Sequence, residues 1–304
     1  MKLIIKPTPP FDFNLSAKIF SDGDKQIRKY ENGKYWQVIR ANNKLIHIAI
    51  RAMGTVDKPR LSVELKSGEE ISNNHKKMAK EIVCSLFDLN FDLKPFYEDV
   101  GNDEVMSKLV RKLRGLKSGT TPTVFEALVC SIIEQQISLK VALGMEEKLI
   151  KTFGDILRID DETYYAFPTP QRLASATIEQ LRKCGLSTKK AEYIRDTSNL
   201  IVEGKLDLEK FKGYEDPREI IDELCKIRGV GVWTAELTMV RGMHKLEAIP
   251  ADDIGLRRYI SHYYCNDRKI SCEEARRIAE KWGKWKGLAS FYLIMAGRLG
   301  VKIE

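Results

Sequence analysis

Apolar positions change their spacing near residue 100. Before it, KYWQVIRA (34–41), KLIHIAIRAMG (44–54) and RLSVELKSG (60–68) carry Val, Ile, Tyr and Trp in partial alternation, the period of half-buried strands. Turn signals at Asp22-Gly23-Asp24, Glu31-Asn32-Gly33 and Asn42-Asn43 punctuate them. One helix is expected to close this part, with Asn74 capping HKKMAKEIVCSLFDL and Met78, Ile82, Val83 and Leu86 on one face. Beyond residue 100 the helical period takes over. Thr123 should cap VFEALVCSIIEQQ, and Ser138 should restart a helix through LKVALGMEEKLIKTFG that Gly154 stops. Two short helices are expected around 171–184, one behind Ser187, and another opened by Pro217 with Ile220 and Leu224. Further helices are expected at 232–242, 254–262, 272–281 and 286–299. The fold class is therefore α+β: a small antiparallel sheet domain at 1–100, then a mostly α-helical region at 101–304, drawn as two lobes with a cleft.

Composition narrows the class. With 304 residues, 43% hydrophobic and 31% charged, the chain can bury a sizeable core and is neither disordered nor a coiled coil. Runs such as LIHIAI (45–50) stop far short of the roughly 18–20 apolar residues that span a bilayer, so no membrane partner is expected. MKLIIK lacks a signal peptide's apolar run. A cytoplasmic location follows as the expectation. The net charge of +8 is divided evenly between the first hundred residues and the rest, so a polyanion footprint has to be a patch made by folding. The six cysteines form no CxxC pair and the four histidines no HExxH, so neither zinc nor an iron–sulfur cluster is expected. Cys130, inside EALVCSIIEQQ, reads as a small buried hydrophobe.

One stretch stands apart. IIDELCKIRGVGVWTAEL (220–237) reads as a helix, a Gly-x-Gly turn at Gly229 and Gly231, and a second helix. Glycines let such a turn come close to an incoming surface, and the amides of Val230, Gly231 and Val232 are expected to be free to hold a phosphate oxygen. The Lys-Ser/Thr ending of a nucleotide P-loop is missing, so a duplex backbone is the better partner. PADDIGLRRYI (250–260) follows, and an acid before the helix at 254 is by itself a common N-cap.

LxxIRGVGVWTAE resembles the helix–hairpin–helix element of the DNA glycosylase superfamily, and PADDIGL resembles the loop and aspartate that follow it. More closely, FEALVCSIIEQQISLKVA (125–142), FPTPQRLA (167–174), LRKCGLSTKKAEYI (181–194) and AEKWGKWKGLASFYL (279–293) resemble segments of the archaeal-type 3-methyladenine DNA glycosylase II branch. The resemblance covers about 120–295. It places the catalytic aspartate on Asp253, where a carboxylate would stabilise an oxocarbenium-like sugar and orient water. It places Trp233 where strand-cleaving relatives carry a Schiff-base lysine, which implies a glycosylase without lyase activity. The aromatic base-pocket positions of the family's best-known member fall on Leu237, Ile254 and approximately Ile294, so this pocket is apolar but less aromatic. The wedge that fills the emptied base stack falls on Gln136, preceded by Gln135. Phosphate contacts are expected from the hairpin and from Lys189, Lys190, Arg257 and Arg258. A Na+ or K+ ion on the carbonyls of Cys225, Ile227 and Val230 is implied by the resemblance; no other cofactor is required.

The implied activity is hydrolysis of alkylated purines flipped out of duplex DNA, in a monomer. Oxidised or deaminated purines (8-oxoguanine, hypoxanthine) are the alternative substrates. A non-catalytic DNA-structure-binding protein is the alternative class, which Asp253 argues against.

Overall fold

The computed structural model describes residues 1–303. Five strands, β1 (Lys2–Ile5), β2 (Arg28–Glu31), β3 (Lys34–Ala41), β4 (Lys44–Ala52) and β5 (Leu61–Lys66), form an antiparallel sheet in the order β1-β5-β4-β3-β2. Asn32 and Asn42 take positive φ at the β2–β3 and β3–β4 turns, as the Asn-containing turn signals imply. The helix Asn73–Leu86 covers one face and packs Ala79, Val83 and Leu86 with Ile46, Ile48 and Ile50 of β4. Its cap is Ser72 rather than Asn74, because the His75 ring returns to the Ser72 amide and completes a capping box. Two sheet strands, β1 and β2, lie outside the runs read as strands from sequence.

The helical remainder follows its polar caps. Thr123, Ser138 and Ser187 each accept a backbone N–H at the start of Val124–Glu134, Leu139–Phe153 and Thr188–Val202. One departure is a two-stranded hairpin, β6 (Ile156–Ile159) and β7 (Glu162–Tyr165), turned by Asp160 and Asp161 at φ 50° and 63°. It lies against the sheet, where Leu157 and Ala166 pack on Val38. Another is the end of Val124–Glu134, which stops two residues short of the expected Gln136 because Gln135 leaves the helical region at ψ 124° and Gln136 turns to φ 56°.

Buried side chains fall into three main clusters. One belongs to the sheet and its helix, one to residues 124–248, and one joins Leu93–Leu116 to Leu246–Ala296. Ion pairs fasten the sheet to the first helical cluster. Arg28 on β2, itself mostly buried, donates to the buried carboxylates of Glu126 (3.1 Å) and Glu146. Burial pushes the Glu126 carboxyl up to about 7 against the pull of Arg28. Arg40–Asp155 (2.7 Å) and Lys151–Asp24 (2.8 Å) add half-buried rivets. Lys117, 2% exposed, donates to the carbonyls of Thr8 (2.9 Å) and Phe91 (2.5 Å), closing the seam from another side.

Candidate active site and nucleic-acid interface

Asp216 caps the helix Pro217–Cys225 with proline in its first turn, and Gly231 caps Val232–Met243. Between them the backbone reverses at Gly229, φ 87°, where an added Cβ would stand 2.2 Å from the Tyr193 ring. Gly229 is thus required by conformation and by contact. Gly231 is not: a Cβ there meets nothing within 4 Å, so its bareness keeps the outer surface of the turn open. The Val230 amide, expected to be free, donates to the Ile227 carbonyl at 3.0 Å. Only Gly231 and Val232 remain at the helix start, where first-turn amides have no intrahelical acceptor. Val232 itself is exposed.

The QQIS loop is bound to this hairpin. Helix Val124–Glu134 packs along Val232–Met243, with Gly242 opposite Ala127 so that a Cβ would come within 2.8 Å. Gln135 donates from Nε2 to the Gly229 carbonyl (2.9 Å) and to Thr234 Oγ1 (3.0 Å). Its amide therefore works inside the protein, as a clasp between loop and turn, instead of reaching toward a partner. Lys190 is likewise turned inward: Nζ donates to the carbonyls of Ile133 (2.8 Å) and Gln135 (2.7 Å). The carbonyls ending a helix need donors, and this ammonium supplies them. Burial lowers its pKa. Held from both sides, the loop presents Gln136 at its tip, exposed and in the left-handed region. Lys189, next to Lys190, stays exposed.

Asp253 caps the helix Ile254–Tyr264. Its Oδ1 accepts from the Leu256 amide at 2.7 Å, and Oδ2 takes no hydrogen bond from the described residues. The carboxylate is half-buried, whereas Asp252 is exposed. Trp233 and Leu237 lie one turn apart on the same face of Val232–Met243. The Trp233 indole N–H is buried with no partner. Leu237 is buried, but Ile254 is 77% exposed and Ile294 is half-buried against the C-terminal helical cluster. Arg257 is half-buried with its Nε unpartnered, and Arg258 is exposed.

Two charged pairs of this site were not read from the sequence, Arg241 with Glu134 and Glu236 with Arg276. Arg241 continues the Trp233–Leu237 stripe by one more turn and donates to Glu134 at 2.5 Å. Glu134 sits at the end of its helix, immediately before the QQIS loop. Burial lowers the Arg241 pKa, but Glu134, with a smaller share from the Asp253 charge, raises it on balance. The helical spacing 233, 237, 241 was the available signal. The second set, Glu236 and Arg276, joins the helix Val232–Met243 to the aspartate's own loop.

This arrangement combines a half-buried carboxylate, an indole and a leucine on the adjoining helix, an exposed loop tip and a bare helix-start turn. Such a site can stabilise a cationic sugar centre beside a base stacked on an aromatic face.

The chain as a whole resembles known proteins. Residues 129–284 match the family described as HhH-GPD superfamily base excision DNA repair protein. The chain is 34% identical over 209 residues, 68% of each chain, to a DNA-3-methyladenine glycosylase of Bacillus subtilis. It is 29% identical over 248 residues to a probable N-glycosylase/DNA lyase of Methanothermobacter thermautotrophicus, covering 73% of this chain and 76% of that one. Among solved structures, a 3-methyladenine DNA glycosylase from Archaeoglobus fulgidus superposes with a TM-score of 0.86 at 27% identity, covering 98% of this chain and 99% of that one. A five-stranded sheet followed by a helical hairpin domain, the family match across that hairpin and the extent of these likenesses lead to one conclusion: the chain belongs to the HhH-GPD superfamily of base excision DNA repair proteins, as a DNA glycosylase of its 3-methyladenine glycosylase-like branch.

Proposed function

We propose that this glycosylase hydrolyses the N-glycosidic bond of alkylated purines in duplex DNA and leaves the abasic strand intact. The observation that carries the reading is the pair Trp233 and Asp253: an indole stands where the resemblance puts a lyase lysine, and a carboxylate oxygen beyond the N-cap bond is left for chemistry. Methylation at N3 or N7 makes the purine cationic. It then leaves readily, needs no strong general acid, and is favoured by an electron-rich aromatic face. Asp253 stabilises the positive charge developing on the sugar and orients the water that completes hydrolysis.

Nearby amines are committed elsewhere, which supports a reaction without an imine. Lys226 pairs with Glu223 at 2.5 Å, Lys245 donates to the Tyr214 carbonyl, and Lys190 holds the QQIS loop. Duplex DNA is gripped at the Gly231–Val232 amides, while Gln136 enters the stack in place of the flipped base; the Cys225, Ile227 and Val230 carbonyls would hold a Na+ or K+, which would supply positive charge to a phosphate. Lys189, Arg257 and Arg258 extend this grip along the backbone. The test is a base-release screen over defined lesions in duplex DNA: 3-methyladenine and 7-methylguanine should be released, and preferential release of 8-oxoguanine would replace this reading with the oxidised-purine one.

A further inference from the structure

The Asp253 loop is short, packs Ile249 and Ala251 into the C-terminal core, and receives side-chain hydrogen bonds from one residue. Ile249, Pro250 and Ala251 are all buried, and two tight turns wind the backbone, with Ala251 N donating to Ile249 O (2.7 Å) and Asp253 N to Pro250 O (2.9 Å). Among the described residues, a single side chain donates hydrogen bonds to the stretch 249–253. Arg276, on the helix Cys272–Ala279, gives Nη1 to the Ile249 carbonyl (3.2 Å) and Nη2 to Asp252 Oδ2 (3.4 Å). The same two nitrogens make a forked pair with Glu236, at 2.6 and 2.9 Å. Glu236 is 4% exposed and sits on the helix that carries Trp233 and Leu237.

One guanidinium therefore sets the distance between the helix bearing the indole and the loop bearing the carboxylate. Its planar fork fixes direction as well as charge, which a lysine cannot do. An ion pair with one buried carboxylate and a half-buried guanidinium is a weak source of net stability, so its placement under the site calls for another reason. We infer that Arg276, locked by Glu236, is a positioning residue for Asp253, holding the 249–253 loop at the distance from the Trp233 face that the reaction requires. It touches neither base nor sugar. The inference rests on the reading of Asp253 as the catalytic carboxylate.

The experiment uses the full chain and methylated duplex DNA under saturating single-turnover conditions. Two variants are made: Arg276→Lys, which keeps the charge, and the pair Glu236→Leu with Arg276→Met, which leaves no unpaired charge buried. Misplacement of about 1 Å can cost up to about 100-fold, so the pair variant should slow excision by roughly 10- to 100-fold and Arg276→Lys by less. Affinity for abasic duplex should stay within about 2-fold, because the Gly229–Gly231 turn and the exposed basic side chains are untouched. In an Asp253→Asn background the same changes should cost nothing further, since the group they position has lost its charge. Wild-type excision by the pair variant, or an undiminished multiplicative loss on top of Asp253→Asn, would overturn the positioning role alone. Near-normal excision by Asp253→Asn itself would overturn it together with the reading of Asp253.

Discussion

Replacing Asp253 by Asn separates the two things this side chain does. As an N-cap it accepts the Leu256 amide through Oδ1 at 2.7 Å, and asparagine caps helices about as well as aspartate. The fold should therefore lose no more than a few tenths of a kcal/mol, read as a thermal midpoint within about 2 °C of wild type. The charge is another matter. A carboxylate about 4 Å from a cationic sugar at an effective dielectric of about 20 contributes roughly 4 kcal/mol; solvent around this half-buried group cuts that to roughly 3, a factor of about 100 in rate. Asp253→Asn should slow single-turnover base release by at least about 100-fold. Abasic-duplex binding should persist, because the proposed backbone contacts belong to the turn and the basic side chains, which the substitution leaves in place. Asp252→Asn should do much less, since Asp252 is exposed and reaches only Arg276. Near-normal excision by Asp253→Asn would refute the assignment, and a larger loss from Asp252→Asn would move the catalytic role to the neighbouring acid.

Three further outcomes follow from the contacts. Gly231→Phe should weaken binding to damaged and undamaged duplex alike with an unchanged melting temperature, because nothing inside the protein meets its side chain, whereas Gly229→Ala should destabilise through its positive φ and the Tyr193 ring; equal affinity of Gly231→Phe and wild type would remove the turn from the interface. Lys190→Met should lower stability by roughly 1–3 kcal/mol and leave the salt dependence of DNA binding unaltered, while Lys189→Met should reduce that slope by about 1 without a stability change; the reverse pattern would contradict the inward placement of Lys190. Glu126 has a folded pKa of about 7, raised from 4.5 by burial, so the folded state holds its proton more tightly. Stability from this group is complete below pH 4.5 and is lost as pH rises to about 7. Glu126→Gln should flatten the melting temperature across that window, and an unchanged slope would place the titration elsewhere.

Much of the fold could be read because single polar residues stand directly before apolar periodic runs. Thr123, Ser138 and Ser187 cap the helices that were expected behind them. In SNN, three adjacent residues could cap, and Ser72 takes the role only because the ring of His75 reaches its amide, a choice decided by side-chain geometry. The β6–β7 hairpin escaped because ILRI and ETYY are four-residue strands between helices, and Asp160-Asp161 carries no glycine to announce a turn. β2 escaped because RKYE has no apolar alternation; its pairing with β3 is what makes it a strand.

The site was legible to the extent that it is local. Gly229 and Gly231 mark the turn in the sequence, and the Trp233, Leu237, Arg241 stripe follows a helical period that was open to reading one turn further than Leu237. Asp253 looks like any N-cap until its resemblance is considered. Contacts across the fold leave no such trace. Glu236 and Arg276 are 40 residues apart, Lys190 and the carbonyls it serves more than 50. A lysine at a helix start looks like a phosphate contact until the orphan carbonyls of the neighbouring helix come within its reach.

Hydrolysis at Asp253 without an amine intermediate is the chemistry on which every other assignment rests. Its most direct measurement is a single-turnover reaction on duplex DNA carrying one 7-methylguanine, run with sodium borohydride present and resolved for both strand and protein. The account predicts free base, an intact strand that breaks only after mild alkali or an added abasic endonuclease, and no protein–DNA adduct above background. A strong borohydride-trapped band mapping to any lysine, with strand cleavage in step with base release, would contradict it.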